Sequence, residues 1–195
     1  MTTLLLVRHG ETDWNRGGRW QGHADAPLNE RGREQARALA DELGGQHVAA
    51  VYSSDLARAR ETAEIIAARL GRPVAVDPRL REVDVGGWSG LTTEEIRERF
   101  PEEVGRWLDS DPAHTFDGGE SYAVMGERVV AALEEIAARH PDGQILVVLH
   151  GGPIRAVLAH AAGITYAEQR HRREHLDNCG YLRIDVRDGV FSGVD

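Results

Sequence analysis

Four apolar residues, Leu4-Leu5-Leu6-Val7, stop abruptly at Arg8-His9-Gly10. A run of this length without polar alternation reads as a strand buried on both faces, the strand type of a parallel sheet. In open α/β sheets, ligands gather beyond the carboxyl ends of such strands. Arg8 and His9 stand at that end. Arginine offers a planar fork suited to phosphate or carboxylate, and histidine offers a nucleophile or a proton carrier. An ordinary strand end with two solvated polar residues would read the same way, so the rest of the chain has to decide.

The pattern recurs twice. Val48 to Tyr52 runs into Ser53-Ser54-Asp55, with Arg58 just beyond. Ile145 to Leu149 ends at His150-Gly151-Gly152, and Pro153 suits the first turn of a following helix. Between these strands lie amphipathic stretches: Asn29 caps one carrying Ala36, Leu39, Ala40 and Leu43, and Leu56, Ala59, Ala63, Ile66 and Leu70 mark a second. Ser121 opens a long third helix, Val74-Ala75-Val76 is a short strand, and Arg187-Asp188-Gly189 reads as a hairpin turn. Alternating strands and helices predict an α/β three-layer sandwich, with a mostly parallel sheet and helices on both faces. Residues 1–195 read as one domain. Residues about 83–120, with a capping box at Thr92 and Glu95, read as a small cap or lid over the strand C-terminal ends.

In a parallel sheet the three strand ends share one edge. Two imidazoles and two guanidiniums can then meet in one crevice, and the helices after Ser54 and after Gly152 can add backbone N–H groups. That is a phosphate pocket assembled without metal. It also lacks lysine: all 23 basic residues are arginine, which removes Schiff-base chemistry and the P-loop lysine. A formal charge of −9 argues against a general binder of nucleic acid or anionic membrane. Cys179 is the sole cysteine, so no intrachain disulfide forms, and no apolar run reaches membrane-spanning length; a cytoplasmic protein is expected. His171 and His175 have the i, i+4 spacing of a metal pair. With no carboxylate motif and three arginines around them, they read as a solvated face.

The ordered set of motifs resembles the histidine phosphatase superfamily, the phosphoglycerate-mutase-like fold. The set runs Leu-Val-Arg-His-Gly-Glu-Thr-Asp-Trp-Asn, Trp-Gln-Gly-His-Ala-Asp-Ala-Pro-Leu-Asn-Glu-Arg-Gly, Ser-Ser-Asp-Leu-Ala-Arg-Ala-Arg-Glu-Thr, Leu-Arg-Glu-Val-Asp-Val-Gly-Gly-Trp-Ser-Gly-Leu-Thr and Val-Leu-His-Gly-Gly-Pro-Ile-Arg, across residues 4–155. The resemblance implies that His9 is the nucleophile and takes the phosphoryl group as a phosphohistidine. It implies that Arg8, Arg58 and His150 bind phosphoryl oxygens with help from Asn15, and that Glu82 is the acid and then the base. Gln21 and Gly22 would lie on the loop around the substrate, and Gly151 would lend its backbone N–H. No metal and no cofactor are implied. The substrate would be a small-molecule phosphomonoester, and a homodimer is in keeping with the resemblance.

Physical chemistry adds conditions to those roles. His9 must be neutral to attack, so one ring nitrogen should donate to a carbonyl, and Glu82 must carry a proton at the first step. A surface salt bridge between Arg81 and Glu82 is the competing reading. Three functions are open: a phosphatase, a cofactor-dependent phosphoglycerate mutase, and a non-catalytic phosphate-binding regulatory module. A mutase grips a highly anionic intermediate, whereas residues 83–120 hold three basic residues against ten acidic ones. Hydrolysis is therefore favoured, and the acidic cap leans toward a neutral or hydroxyl-rich leaving group. His23 reads as a substrate contact or a loop-packing residue. Trp14, Trp20, Trp88 and Trp107 divide between pocket and loop anchors, Glu120 could face the site, and Ser121 reads as a plain N-cap.

Overall fold

The computed structural model describes residues 1–108, 114–172 and 176–193. In chain order the strands are β1 (Thr2–Arg8), β2 (Ala50–Ser53), β3 (Val74–Val76), β4 (Gln144–Leu149), β5 (Tyr181–Arg187) and β6 (Val190–Ser192). The helices are α1 (Asp13–Arg16), α2 (Glu30–Leu43), α3 (Ala57–Leu70), α4 (Thr93–Arg99), α5 (Pro101–Leu108), α6 (Tyr122–Arg139), α7 (Gly151–Ala162) and α8 (Tyr166–His171).

One sheet has the order β3-β2-β4-β1-β5-β6. The first four are mutually parallel, and β5 and β6 add an antiparallel edge. The apolar runs are buried on both faces, as their lack of alternation requires. Leu5, Val7, Leu146 and Val148 pack with α2 and α3, whereas Leu4, Leu6, Ile145, Val147 and Leu149 pack with α6 and α7. These are the three layers expected from the sequence. In the hairpin, Asp188 and Gly189 both have positive φ, 52° and 78°, which matches the right-handed twist of the flanking strands.

Residues 83–120, of which 109–113 lie outside the described residues, feed Val83, Val85, Trp88, Ile96, Val104 and Phe116 into the core on the α6 side. The segment is thus anchored in the main core, and Val83, Val85 and Trp107 reach the edge where the parallel strands end. On the opposite side the chain leaves β1 through Gly10, which packs against Gly32 of α2. A Cβ on Gly10 would lie 2.5 Å from the Gly32 carbonyl oxygen, and one on Gly32 would lie 2.2 Å from that of Glu11. Only two glycines allow this approach.

Candidate active site

Strand register brings the site together. Beyond the last β1–β4 pair, Arg8 with Leu149, the His9 N–H donates to the Leu149 carbonyl at 3.0 Å. Across β4, the Ser54 N–H donates to Val148 at 3.0 Å. His150 is therefore flanked by the other two strand ends. Its ring centroid is 5.2 Å from that of His9, and its Nε2 is 3.0 Å from Ser54 Oγ.

His9 is buried, and its Nδ1 lies 2.7 Å from the Gly10 carbonyl oxygen. A carbonyl can only accept, so Nδ1 carries the hydrogen and Nε2 the lone pair. Burial, followed by the charges of Arg58 and Arg8, holds the ring's pKa well below 6.5 despite that hydrogen bond. His9 is neutral at pH 7, as a nucleophile must be.

Arg8 and Arg58 supply positive charge. Arg8 donates from Nη1 to the Leu176 carbonyl at 2.8 Å. Arg58, fully buried on α3, donates from Nη1 to Ala24 and from Nη2 to Gly22, both at 2.8 Å. Burial pulls the Arg58 pKa down to about 10 and lowers that of Arg8, with Glu82 opposing both shifts; each stays cationic at pH 7. Arg8 Nε, Arg58 Nε and His150 Nδ1 are buried and make no hydrogen bond within the protein. Buried nitrogens of this kind are costly unless something satisfies them, and two belong to cations. An oxygen-rich anion meets that need.

Arg58 gives one hydrogen from each Nη to the loop that carries Gly22, and the second hydrogen on each Nη, with the Nε–H, is not committed there. His150 is not among the residues lining the cavity, although its unpartnered Nδ1 belongs to a ring 5.2 Å from that of His9.

Glu82 lines the cavity with its carboxylate held by two backbone donors: Val83 N–H to Oε1 at 2.9 Å and Gly152 N–H to Oε2 at 3.2 Å. The competing pair with Arg81 does not form, because Arg81 grips Asp55 at 2.7 and 2.5 Å. A Cβ on Gly152 would lie 2.1 Å from Glu82 Oε1, so any other residue there would displace the carboxylate. Of the two helix N-termini expected at the site, only α7 contributes, through Gly151 and Gly152. The α3 terminus is closed by Asp25, whose Oδ1 accepts from Ala57 N–H at 2.6 Å.

Asn15, Gln21 and Gly22 also line the cavity. Asn15 Oδ1 accepts from the Thr12 N–H and Thr12 Oγ1 from the Asn15 N–H in a capping box, and the single hydroxyl hydrogen of Thr12 has Asn15 Oδ1 and Gln21 Oε1 within reach, both at 3.1 Å. Gly22 has φ +50° and sits against Val85, where a Cβ would come within 2.6 Å.

The cavity measures about 620 Å³ and extends outward past Trp20, Trp107, Tyr122 and Tyr166. The two tyrosine rings stack at 4.1 Å. Arg155 and Arg170 line this outer part, and Glu82 is the sole carboxylate among the described lining residues. The acidic wall expected from residues 83–120 is therefore not found among them. Glu95 pairs with Arg19, and Glu120 turns inward to Arg128. Trp88 is core, with Trp20 edge-on to it at 5.3 Å. Ser121 is the N-cap of α6, accepting from Val124 N–H. His171 is exposed, and His175 lies outside the described residues. Among the described residues no group of three or more His, Cys, Asp or Glu is placed to hold a metal ion, and no helix is long and apolar enough to cross a membrane.

Three supporting residues escape sequence reasoning. Thr62, one turn after Arg58, accepts from Gly10 N–H and donates to the Arg58 carbonyl, tying nucleophile loop to arginine helix. Its i, i+4 spacing from Arg58 is the available signal. Asn178 donates to the His9 carbonyl at 2.9 Å, and Arg128 grips the segment that bears Glu82. Neither stands in a motif.

Comparison with known proteins agrees with this geometry. The family model for the histidine phosphatase superfamily (branch 1) matches residues 4–194. Phosphoserine phosphatase 1 of Hydrogenobacter thermophilus is 42% identical over 164 residues, covering 84% of this chain and 78% of that protein. A probable phosphoglycerate mutase of Serratia proteamaculans is 37% identical over 190 residues, covering 95% and 85%. Among solved structures, a mycobacterial glucosyl-3-phosphoglycerate phosphatase in complex with VO3 superposes with a TM-score of 0.88 at 34% identity, covering 99% of this chain and 96% of that one. Fold, strand-end geometry and motif order converge with these matches: the chain belongs to the histidine phosphatase superfamily, branch 1.

Proposed function

We propose that this protein is a metal-independent phosphomonoesterase that hydrolyses a small-molecule phosphate ester through a phosphohistidine on His9. The observation that carries the reading is the single tautomer of His9, with Nδ1 tied to Gly10 and the Nε2 lone pair left free near the buried Arg58 and the half-buried Arg8. Nε2 attacks phosphorus, the N–P bond forms, and the P–O bond to the leaving group breaks. Glu82 gives its proton to the departing oxygen. Water then attacks the phosphohistidine, Glu82 takes back a proton, and phosphate leaves with His9 restored. Little covalent chemistry is asked of the protein beyond the nucleophile. The work is positioning and charge stabilisation, which this reading assigns to Arg8, Arg58, His150, Asn15 and the N–H of Gly151.

Hydrolysis is favoured over mutase chemistry by the similar proteins named as phosphatases, among them phosphoserine phosphatase 1 and glucosyl-3-phosphoglycerate phosphatase. Residues 83–120, read as a cap over the strand ends, contribute Val83, Val85 and Trp107 to the wall of the cavity. The outer part suits a leaving group with a carboxylate rather than a neutral one. Arg155 stands one helical turn beyond Gly151 on α7 and reaches the Tyr166 hydroxyl at 3.4 Å, with Arg170 nearby. Phosphoserine and glucosyl-3-phosphoglycerate, the compounds in the names of two similar proteins, both carry such a group. A cytoplasmic location and a homodimeric assembly belong to the same proposal.

One assay tests it. Wild type should hydrolyse phosphoserine at least about tenfold better in kcat/KM than phosphoethanolamine, which lacks only the carboxylate, in the presence of a chelator. His9→Ala should lose turnover of both, with no phosphate trapped on the protein. Turnover by His9→Ala would overturn the nucleophile, and equal rates on the pair would overturn the carboxylate.

A further inference from the structure

Residues 81–85, which carry Glu82 into the cavity, belong to no strand or helix. Their main-chain groups still need partners, and one side chain supplies those of two successive carbonyls, Arg81 and Glu82. Arg128, in the second turn of α6, donates from Nη1 to the carbonyls of Arg79 and Arg81, both at 2.8 Å, and from Nη2 to the carbonyl of Glu82 at 2.8 Å. Its other donors meet the Glu120 carboxylate, at 3.1 Å from Nε and through a short contact from Nη2. Glu120 in turn accepts from the Asp84 N–H at 3.0 Å. His23 Nε2 lies 2.9 Å from the same Glu82 carbonyl oxygen and donates to it. Main-chain positions 79, 81, 82 and 84 are thus fixed by one ion pair and one imidazole.

We propose that Arg128, braced by Glu120 and assisted by His23, is the positioning unit for the Glu82 carboxyl. It acts by holding the main chain on either side of that residue. The proposal rests on reading Glu82 as the proton donor. Arg128 does not line the cavity, so it acts through Glu82 and not on the substrate. The requirement is for a planar fork with donors at fixed angles. A lysine at the same place has three donors on a point charge and cannot reach the same acceptors at once. Val83 and Val85 stay anchored in the core and Arg81 on Asp55, so losing the grip lets the main chain at Glu82 shift rather than come loose, and a displacement of about 1 Å at a reacting group costs on the order of 100-fold in rate.

The test separates positioning from general stability by the leaving group. An alkyl phosphate needs a proton on its departing oxygen, whereas an aryl phosphate with an acidic phenol does not. The measured quantity is kcat/KM, which reports only the steps through formation of the phosphohistidine. Glu82→Gln should lower it on the alkyl ester by about 100-fold or more and much less on the aryl ester. Arg128→Gln and Arg128→Lys should show the same split, with about a 30-fold loss on the alkyl ester and about threefold or less on the aryl one. In a Glu82→Gln background, Arg128→Gln should add little. Should Arg128→Gln fold poorly, Glu120→Gln keeps an acceptor oxygen, drops the charge and should give a weaker split in the same direction. Equal losses on both esters for the Arg128 and Glu120 variants, or losses that multiply with that of Glu82→Gln, overturn the proposal. An equal loss for Glu82→Gln itself overturns the proton-donor reading, and this one with it.

Discussion

One hydrogen bond, from His9 Nδ1 to the carbonyl of the next residue, decides which nitrogen of the nucleophile is basic. Burial, and then the charges of Arg58 and Arg8, keep the ring neutral. His150 shares that condition, its pKa held well below 6.5 by burial and then by Arg58 and His9. Both imidazoles bind fewer protons in the folded than in the unfolded chain at mildly acid pH. Their contribution to stability is therefore complete above about 6.5 and is lost as the pH falls below it. Tm should drop between pH 7 and pH 5, a window above most of the carboxylate titration. The drop should be smaller in His150→Asn, each protein being referred to its own value at pH 7. A flat Tm in wild type would contradict the assignment. At this scale the sequence is a good guide to which residues meet, because strand ends in register must meet. It says less about how each is used. The Nη atoms of Arg58 go to a loop more than 30 residues upstream, and nothing local to Ala57–Thr62 encodes that loop's path.

Among the elements, the buried strands were legible from unbroken apolar runs, and α2, α4 and α6 from their capping residues. Asn29, Thr92 and Ser121 each accept the hydrogen bond expected of them. Two features were not legible. The β5–β6 hairpin docks antiparallel beside β1, since alternating burial marks a strand without naming its neighbour. The α3 N-terminus looked open from Ser54 onward, yet Asp25 closes it from a distant loop. The Gly10–Gly32 contact belongs to this scale, because it sets how closely the nucleophile loop approaches α2. Gly32→Ala forces a methyl against main-chain atoms that have nowhere to move, and should cost about 2 kcal/mol or more. In a chain of this size that lowers Tm by about 4–8 °C in a thermal melt. A Tm within about 1 °C of wild type would show that the two loops separate easily.

Across the whole molecule an acidic chain concentrates arginine where the parallel strands end: Arg8, Arg19, Arg58, Arg155 and Arg170 all line one cavity, in a protein of net charge −9. The strand end that bears Arg8 carries a further consequence. Cys179, the chain's single thiol, is buried in the core on the α2–α3 side with φ at +59°, and its N–H donates to the Arg8 carbonyl at 2.9 Å. Burial pushes the thiol up to about 12, so it is inert while this packing stays closed. It is thus a clock. When reclosing is fast, the rate at which an alkylating reagent consumes Cys179 is the intrinsic thiol rate multiplied by the fraction of time the packing is open. Saturating vanadate at about 100 times its Kd should slow that clock by about 100-fold if it binds only the closed state. An unchanged alkylation rate would mean that the packing breathes without regard to what Arg8 is holding.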